Sequence, residues 1–383
     1  MEIFGFDYAT FEAVVKFRLF VEKDLRLVTD DDEVGLDHRF VVQFFARQET
    51  VAADDAIQMH AGFNPFALND RIDGVGCRGD DVAAADRFFS GCLLILTGLF
   101  RKTVIADNCA LLADAAFSGR MGPPNLPIVL IGTYAFAWQI YGDFSGYSDI
   151  ARGSAQLLGF HFMVNFRQPY LAVGLSDFWR RWHISLSTWL RDYLYVPLGG
   201  NRKGERRTYI NLFITMLLGG LWHGANWVFV IWGAIHGWGL VVEKWLGLRR
   251  RNRDGDGIEE PGWARQLKLW GGRILVFHFV CLAWVFFRAP SLSEALQMLA
   301  GVTHPSWSPV YLTAIQFLVL FSLPLLLLDL RLEKHAEEYP FEKLRLPVSR
   351  RAFSYRIAAA AVMIIVVMLM SGIESNAFIY FQF

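Results

Sequence analysis

The apolar residues of this chain are gathered into long runs, and the polar residues into the joints between them. "NWVFVIWGAIHGWGLVVEKWLG" from Asn226 reads as a membrane-spanning helix. So do "WGGRILVFHFVCLAWVFF" from Trp270, "VYLTAIQFLVLFSLPLLLLDL" from Val310 and "FSYRIAAAAVMIIVVMLMSG" from Phe353. Each is close to the roughly 20 apolar residues that cross a bilayer as a helix. "LPIVLIGTYAFAWQIYG" from Leu126 is a further span. "FFSGCLLILTGLF" from Phe88 is apolar for 13 residues and then meets Arg101 and Lys102, which predicts a short, tilted or interfacial helix. Met1 to Asp86 carries no sustained period; "VTDDDEVGLDHRF" and "RIDGVGCRGDDVAAAD" are acidic and Gly-containing. The pattern therefore divides the chain into an acidic segment, 1–86, disordered or misread, and a membrane-embedded domain, 87–383. The expected fold class is all-α, a polytopic multi-helix bundle.

Two stretches break the regularity. "YINLFITMLLGGLW", Tyr209 to Trp222, has only 14 residues, or roughly 21 Å of helix at 1.5 Å per residue. That is too short for about 30 Å of hydrocarbon. Its end, where Gly219, Gly220 and Gly224 surround His223, is expected within the membrane's depth. Irregular backbone is tolerated there only when buried in protein or lining a wet cavity, so His223 is expected at the blind end of a cavity or tunnel. The second stretch is "SDFWRRWHISLSTWLRDYLYVPLGGNRKG", Ser176 to Gly204. At helical spacing Phe178, Trp182, Leu186, Trp189 and Tyr193 share one face, and Trp179, His183, Ser187 and Arg191 share another. That spacing predicts one amphipathic helix along the cytoplasmic interface. It serves either as an anchor with snorkelling arginines or to turn His183 inward toward the cavity of His223.

Composition agrees with the pattern. Of 383 residues 54% are hydrophobic and 19% charged, against about 25% charged in an ordinary soluble domain. The formal net charge of zero hides an asymmetry: Met1 to Asp86 carries 18 acidic and 8 basic residues, and the remainder 19 acidic and 29 basic. "RKGERR" from Arg202, "LRRRNR" from Leu248 and the loop from Arg331 to Arg351 are basic, whereas "APSLSEALQMLAGVTHPSWSP" holds no Lys or Arg. The positive-inside rule makes the basic side cytoplasmic. Cys77, Cys92, Cys109 and Cys281 form no CxxC pair and read as isolated small residues. The first 20 residues lack the basic start and apolar run of a signal peptide.

The chemistry narrows to few residues. In "YGDFSGYSDIARGSAQLLGF", Tyr141 to Phe160, Asp143 and Asp149 follow an apolar span. Such carboxylates are functional candidates or pair with arginine, here with Arg152 or Arg167. No HExxH, EF-hand, P-loop or GxSxG pattern occurs, so neither a metal site nor a Ser or Cys nucleophile is indicated. His236 and His278 lie in apolar spans and are expected to be satisfied by helix-packing hydrogen bonds. His223 is different: glycines allow close approach, and Trp222 and Trp227 wall it. Desolvation lowers an imidazole's pKa from about 6.5, leaving a neutral base. Such a base takes a proton from a hydroxyl as it attacks an activated acyl group. Backbone N–H groups near Gly224, or the indole of Trp222, would meet the oxyanion.

These residues resemble those of a known family. "YGDFSGYSDIA", "NFRQPYLA", "SDFWRRWHISLSTWLRDYLYVPLGGNRKG", "LLGGLWHGANWVFVIWGAIHG", "WVFFRA" and the terminal "FIYFQF" are similar to the membrane-bound O-acyltransferase family. They are most like its bacterial alginate-type polysaccharide O-acetyltransferases, from about Phe88 to the end. The resemblance implies a bundle pierced by a tunnel in the bacterial inner membrane. It implies transfer of acetyl from acetyl-CoA or an acyl-carrier thioester on the cytoplasmic side, with no bound cofactor. The acceptor would be an exported polysaccharide or a relay protein. Membrane lipids and periplasmic acetyltransferase or polysaccharide-modifying proteins would be partners, and nucleic acid would not. It places the catalytic histidine on His223 and the second on His183, with Asp177, Arg181, Trp222 and Asn226 in the same motifs as substrate or tunnel residues. Members begin with several spanning helices, and 1–86 supplies none, the join expected of a shifted frame or a truncated gene. D-alanyl or other acyl transfer to a cell-envelope polymer is the alternative within this chemistry. A transporter or flippase is the alternative outside it.

Overall fold

The computed structural model describes residues 81–247, 262–337 and 360–369, all within the unit Asp81–Phe383. Residues 1–80 of the acidic segment 1–86, the basic "LRRRNR" run, the two ends of the span expected from Phe353 and the C-terminal "FIYFQF" lie outside the described residues. What is described is all-α: no strand occurs among these residues. The helices are α1 (Asp81–Leu99), α2 (Asp107–Phe117), α3 (Leu126–Leu157), α4 (Leu175–Arg181), α5 (Ile184–Leu190) and α6 (Glu205–His223). They continue as α7 (Trp227–Trp245), α8 (Gly262–Arg288), α9 (Leu292–Ala300), α10 (Pro309–His335) and α11 (Ala360–Leu369).

Among the described residues three helical stretches are long and apolar enough to cross a membrane: Arg87–Phe117, Gly262–Arg288 and Pro309–His335. The first corrects the sequence reading. Arg101 and Lys102 do not end the helix from Phe88; it runs on as a π-helix, Phe100–Ala106, into α2. The two cations are carried inside because acids meet them. Arg101 reaches Asp149 at 2.9 Å and Asp329 at 3.9 Å, and Lys102 reaches Asp143 at 2.7 Å and Asp107 at 2.9 Å. Tyr141 donates to both oxygens of Asp329, at 2.9 and 3.1 Å. Asp143 and Asp149 are therefore in ion pairs, chiefly with Arg101 and Lys102, and Arg152 adds a longer contact to Asp149 at 3.7 Å. The spans expected at Leu126 and Asn226 form α3 and α7, which are not among these three. Acids, amides and hydroxyls dilute α3; glycine, tryptophan and histidine dilute α7.

Helix α3 is the centre of the unit and is buried along most of its length. Asn125 caps it, accepting from the amide of Ile128 at 3.1 Å while its own amide donates to the Tyr311 hydroxyl at 2.8 Å. Pro127 occupies the first turn, where no helical N–H is lost. Helices α1 and α3 cross backbone to backbone. A Cβ on Gly98 would stand 2.5 Å from the carbonyl oxygen of Gly146, and one on Gly153 would stand 2.5 Å from that of Gly91. The two glycines on each helix are seven residues apart, two turns, so one small-residue seam holds both contacts. Helices α6 and α7 approach in the same way through Gly220 and Gly233. Pro324 lies within α10, where it removes one backbone hydrogen bond.

Two further expectations are corrected. The single amphipathic helix from Ser176 is broken. It becomes α4, a left-handed residue at His183 (φ 44°, ψ 57°), α5 and a π-turn at Arg191–Tyr195. The expected apolar face breaks with it: Phe178 and Trp182 are buried, whereas Trp189 and Tyr193 are exposed and stack on each other with centroids 5.6 Å apart. Helix α6 begins earlier than the apolar run, at Glu205, and has 19 residues, or about 28 Å. It still ends at His223. Among the described cysteines Cys92, Cys109 and Cys281 are free thiols.

Candidate active site

Four segments bring the site together. Helix α4 is fixed at its start by Glu243 of α7, whose carboxylate accepts from the amides of Leu175 and Ser176. A carboxylate at a helix N-terminus meets unpaired N–H groups and the positive end of the dipole. The α4–α5 joint is held by the preceding loop: Arg167 N donates to the Arg181 carbonyl at 2.9 Å, and Ile184 N to that of Asn165 at 3.0 Å. The Asn165 side chain accepts from the amide and hydroxyl of Ser185, at 3.1 and 3.0 Å. These bonds pin the residues on either side of His183. A left-handed histidine is uncommon and costs about 1–2 kcal/mol; here the loop and Glu243 offset it.

The result is that His183 leaves the helical row and faces inward. Its ring lies against Phe144, centroids 4.7 Å apart, and parallel to Phe166 at 6.5 Å. His223, in the last turn of α6, meets Trp232 edge-on at 5.1 Å, Phe287 at 5.1 Å and Phe229 at 6.2 Å. Both histidines line one small pocket of about 10 Å³, whose walls include Trp179, Trp182, Trp232 and Trp284. That is room for about one water, far below the roughly 300–1,000 Å³ of a site enclosing a whole small molecule. Burial, and next the imidazole of His223, hold His183 well below its ordinary value, at about 3. That direction favours the neutral imidazole, which carries one donating and one accepting ring nitrogen.

The other sequence-derived residues do not line this pocket. Trp222 touches the His223 ring edge-on at 5.0 Å but is 54% exposed. Asn226 caps α7, accepting from Val228 N at 3.2 Å. Asp177 pairs with Arg181 at 3.0 Å, and Arg181 extends to Glu333 of α10 at 2.6 Å, where Arg273 of α8 also arrives at 3.4 Å. That cluster ties α4 to α8 and α10. The amide of Gly224, one expected oxyanion donor, already donates to Leu221 at 3.2 Å. Of the two intramembrane histidines expected to be satisfied, His278 is: Tyr134 Oη lies 2.8 Å from its Nε2 and the Ile274 carbonyl 2.7 Å from its Nδ1. His236 is not; neither ring nitrogen has a partner among the described residues. The tryptophan walls were missed as site residues because indoles at helical spacing read equally well as core. The described residues hold no group of three or more His, Cys, Asp or Glu able to bind a metal.

The stretch that carries the two histidines of this pocket is similar to known proteins. Residues 119–263 match the model of the membrane-bound O-acyltransferase family, a stretch that contains both histidines. The probable alginate O-acetylase AlgI of Pseudomonas fluorescens is 46% identical over 224 residues, 58% of this chain and 42% of that protein. The peptidoglycan O-acetyltransferase of Helicobacter pylori is 41% identical over 212 residues, 55% of this chain and 38% of its own. The teichoic acid D-alanyltransferase of Streptococcus thermophilus is 30% identical over 213 residues, half of each chain. The chain thus spans about two fifths of the length of the alginate-type relatives it matches.

Proposed function

We propose, from the match of residues 119–263 to the membrane-bound O-acyltransferase family, that this chain is a multi-pass O-acyltransferase of the bacterial inner membrane. It moves an acetyl group from a thioester, acetyl-CoA or an acyl carrier, to hydroxyls of an exported alginate-like polysaccharide or of a relay protein. The observation that carries the reading is the meeting of His183 and His223, 40 residues apart in sequence, in one tryptophan-walled pocket.

In this mechanism His223 accepts the proton of the incoming hydroxyl while the alcohol oxygen attacks the thioester carbonyl. The tetrahedral oxyanion collapses, the carbon–sulfur bond breaks, and the thiolate leaves with the proton returned by the imidazolium. No covalent enzyme intermediate is required, because the donor is already activated. His183, kept neutral by burial, orients the hydroxyl or shares its proton. The apolar walls keep water from competing for the acyl group.

His223→Ala, expressed to the wild-type level in membranes, should lower acetyl transfer from a labelled thioester to a hydroxyl acceptor by about 10²–10⁴-fold, the usual worth of a general base. Undiminished transfer removes His223 from the chemistry. D-alanyl transfer to a cell-envelope polymer is a second reading, favoured by the likeness to the Streptococcus thermophilus enzyme. Competition between acetyl and D-alanyl thioesters separates the two.

A further inference from the structure

His236 lies one helical turn beyond Trp232 on α7 and is wholly buried. Four rings enclose it. Phe178 stacks at 6.1 Å, and Trp179, Trp232 and Phe279 meet it edge-on at 5.1, 5.0 and 5.9 Å. Trp179 and Trp232 also meet each other edge-on at 5.8 Å. Neither nitrogen of His236, nor the indole N–H of Trp179 or Trp232, has a hydrogen-bond partner among the described residues, and all four atoms are buried. Nine in ten buried polar groups are satisfied, because one left desolvated is destabilising. Three of these atoms, the two indole N–H groups and the accepting nitrogen of His236, sit on mutually touching rings and can share one partner.

The chemistry of that partner follows from the inventory. Two indoles only donate, and a neutral imidazole donates at one nitrogen and accepts at the other. A water oxygen accepts two hydrogen bonds and its hydrogens donate two, which meets both indoles and the accepting nitrogen of His236. We propose that Trp179, Trp232 and His236 hold one ordered water behind the pocket, and that His236 is a positioning residue for His223. It acts through Trp232, whose ring stands perpendicular to that of His223 at 5.1 Å. Trp179 and Trp232 both line the pocket, so the water fixes the two walls nearest the base. The positioning role rests on the acyl-transfer reading; the water site does not.

The test compares His236→Gln with His236→Leu in the full chain, purified in detergent. Both lose the ring and are close to histidine in volume, so their difference isolates polarity. Glutamine can still bond the water; leucine cannot. The expected result is a melting temperature several degrees higher for H236Q than for H236L. A kcat for transfer at least tenfold lower in H236L, with KM unchanged and kcat recovered in H236Q, is expected alongside it. H236L melting at or above H236Q overturns the water site. Equal kcat in the two variants overturns the positioning role. If the wild-type chain transfers no acyl group, the melting comparison still decides the water site, and the failure belongs to the proposed activity.

Discussion

His183 shows how much one backbone angle decides. In a continuous helix its side chain would follow Trp179 and Ser187 along one row; at φ 44° it departs from that row and joins the pocket of His223. Strain of this kind persists where the surroundings over-determine it and is found at functional sites. Arg101 shows the same dependence on surroundings for a charge. It is 4% exposed and faces Asp149 and Asp329. Replacing it with methionine strips Asp329 of its cation and leaves Asp149 only the longer contact to Arg152, a loss of about 3–5 kcal/mol. Thermal unfolding in detergent should show Arg101→Met melting well below wild type, with Arg101→Lys intermediate because an ammonium lacks the guanidinium fork. An unchanged melting temperature for R101M would show that the pair contributes nothing.

At the scale of elements, the seam of Gly91 and Gly98 against Gly146 and Gly153 sets how closely α1 approaches the central helix. Gly98→Val puts a branched side chain where a carbonyl oxygen stands 2.5 Å from the Cβ position, so the helices must separate. The expected cost is about 1–3 kcal/mol or more, read as lower yield and lower melting temperature. Wild-type behaviour of G98V would mean the crossing is not close. The spans at Trp270 and Val310 were legible because a long apolar run has one meaning in a membrane protein. The continuation of the helix past Arg101 and Lys102 was not. The acids that neutralise them lie at 143, 149 and 329, and a window along the chain cannot see them. The break at His183 was hidden for a related reason. The i, i+4 rows persist through it, and what enforces it is a set of hydrogen bonds from Asn165 and Arg167 in another segment.

At the scale of the molecule, the described helices surround the histidine pair with contacting aromatic rings. Aromatic rings from α3, α4, α7 and α8 interlock there, with Trp284 at their centre against Phe136, Trp182, Trp232 and Phe287. Such rigidity suits a site that must hold a base and an acyl group in fixed register. That His183 and His223 would meet was readable from motif resemblance, whereas the tryptophan walls and the unpartnered His236 required the fold. The claim on which this account depends is that the two imidazoles work as one unit. The most direct measurement is the rate of acetyl transfer by membranes carrying His183→Ala, His223→Ala and the double variant. Groups that act together lose their contribution once, so the double variant should be no slower than His223→Ala. Losses that multiply, or single variants that transfer at the wild-type rate, would contradict it.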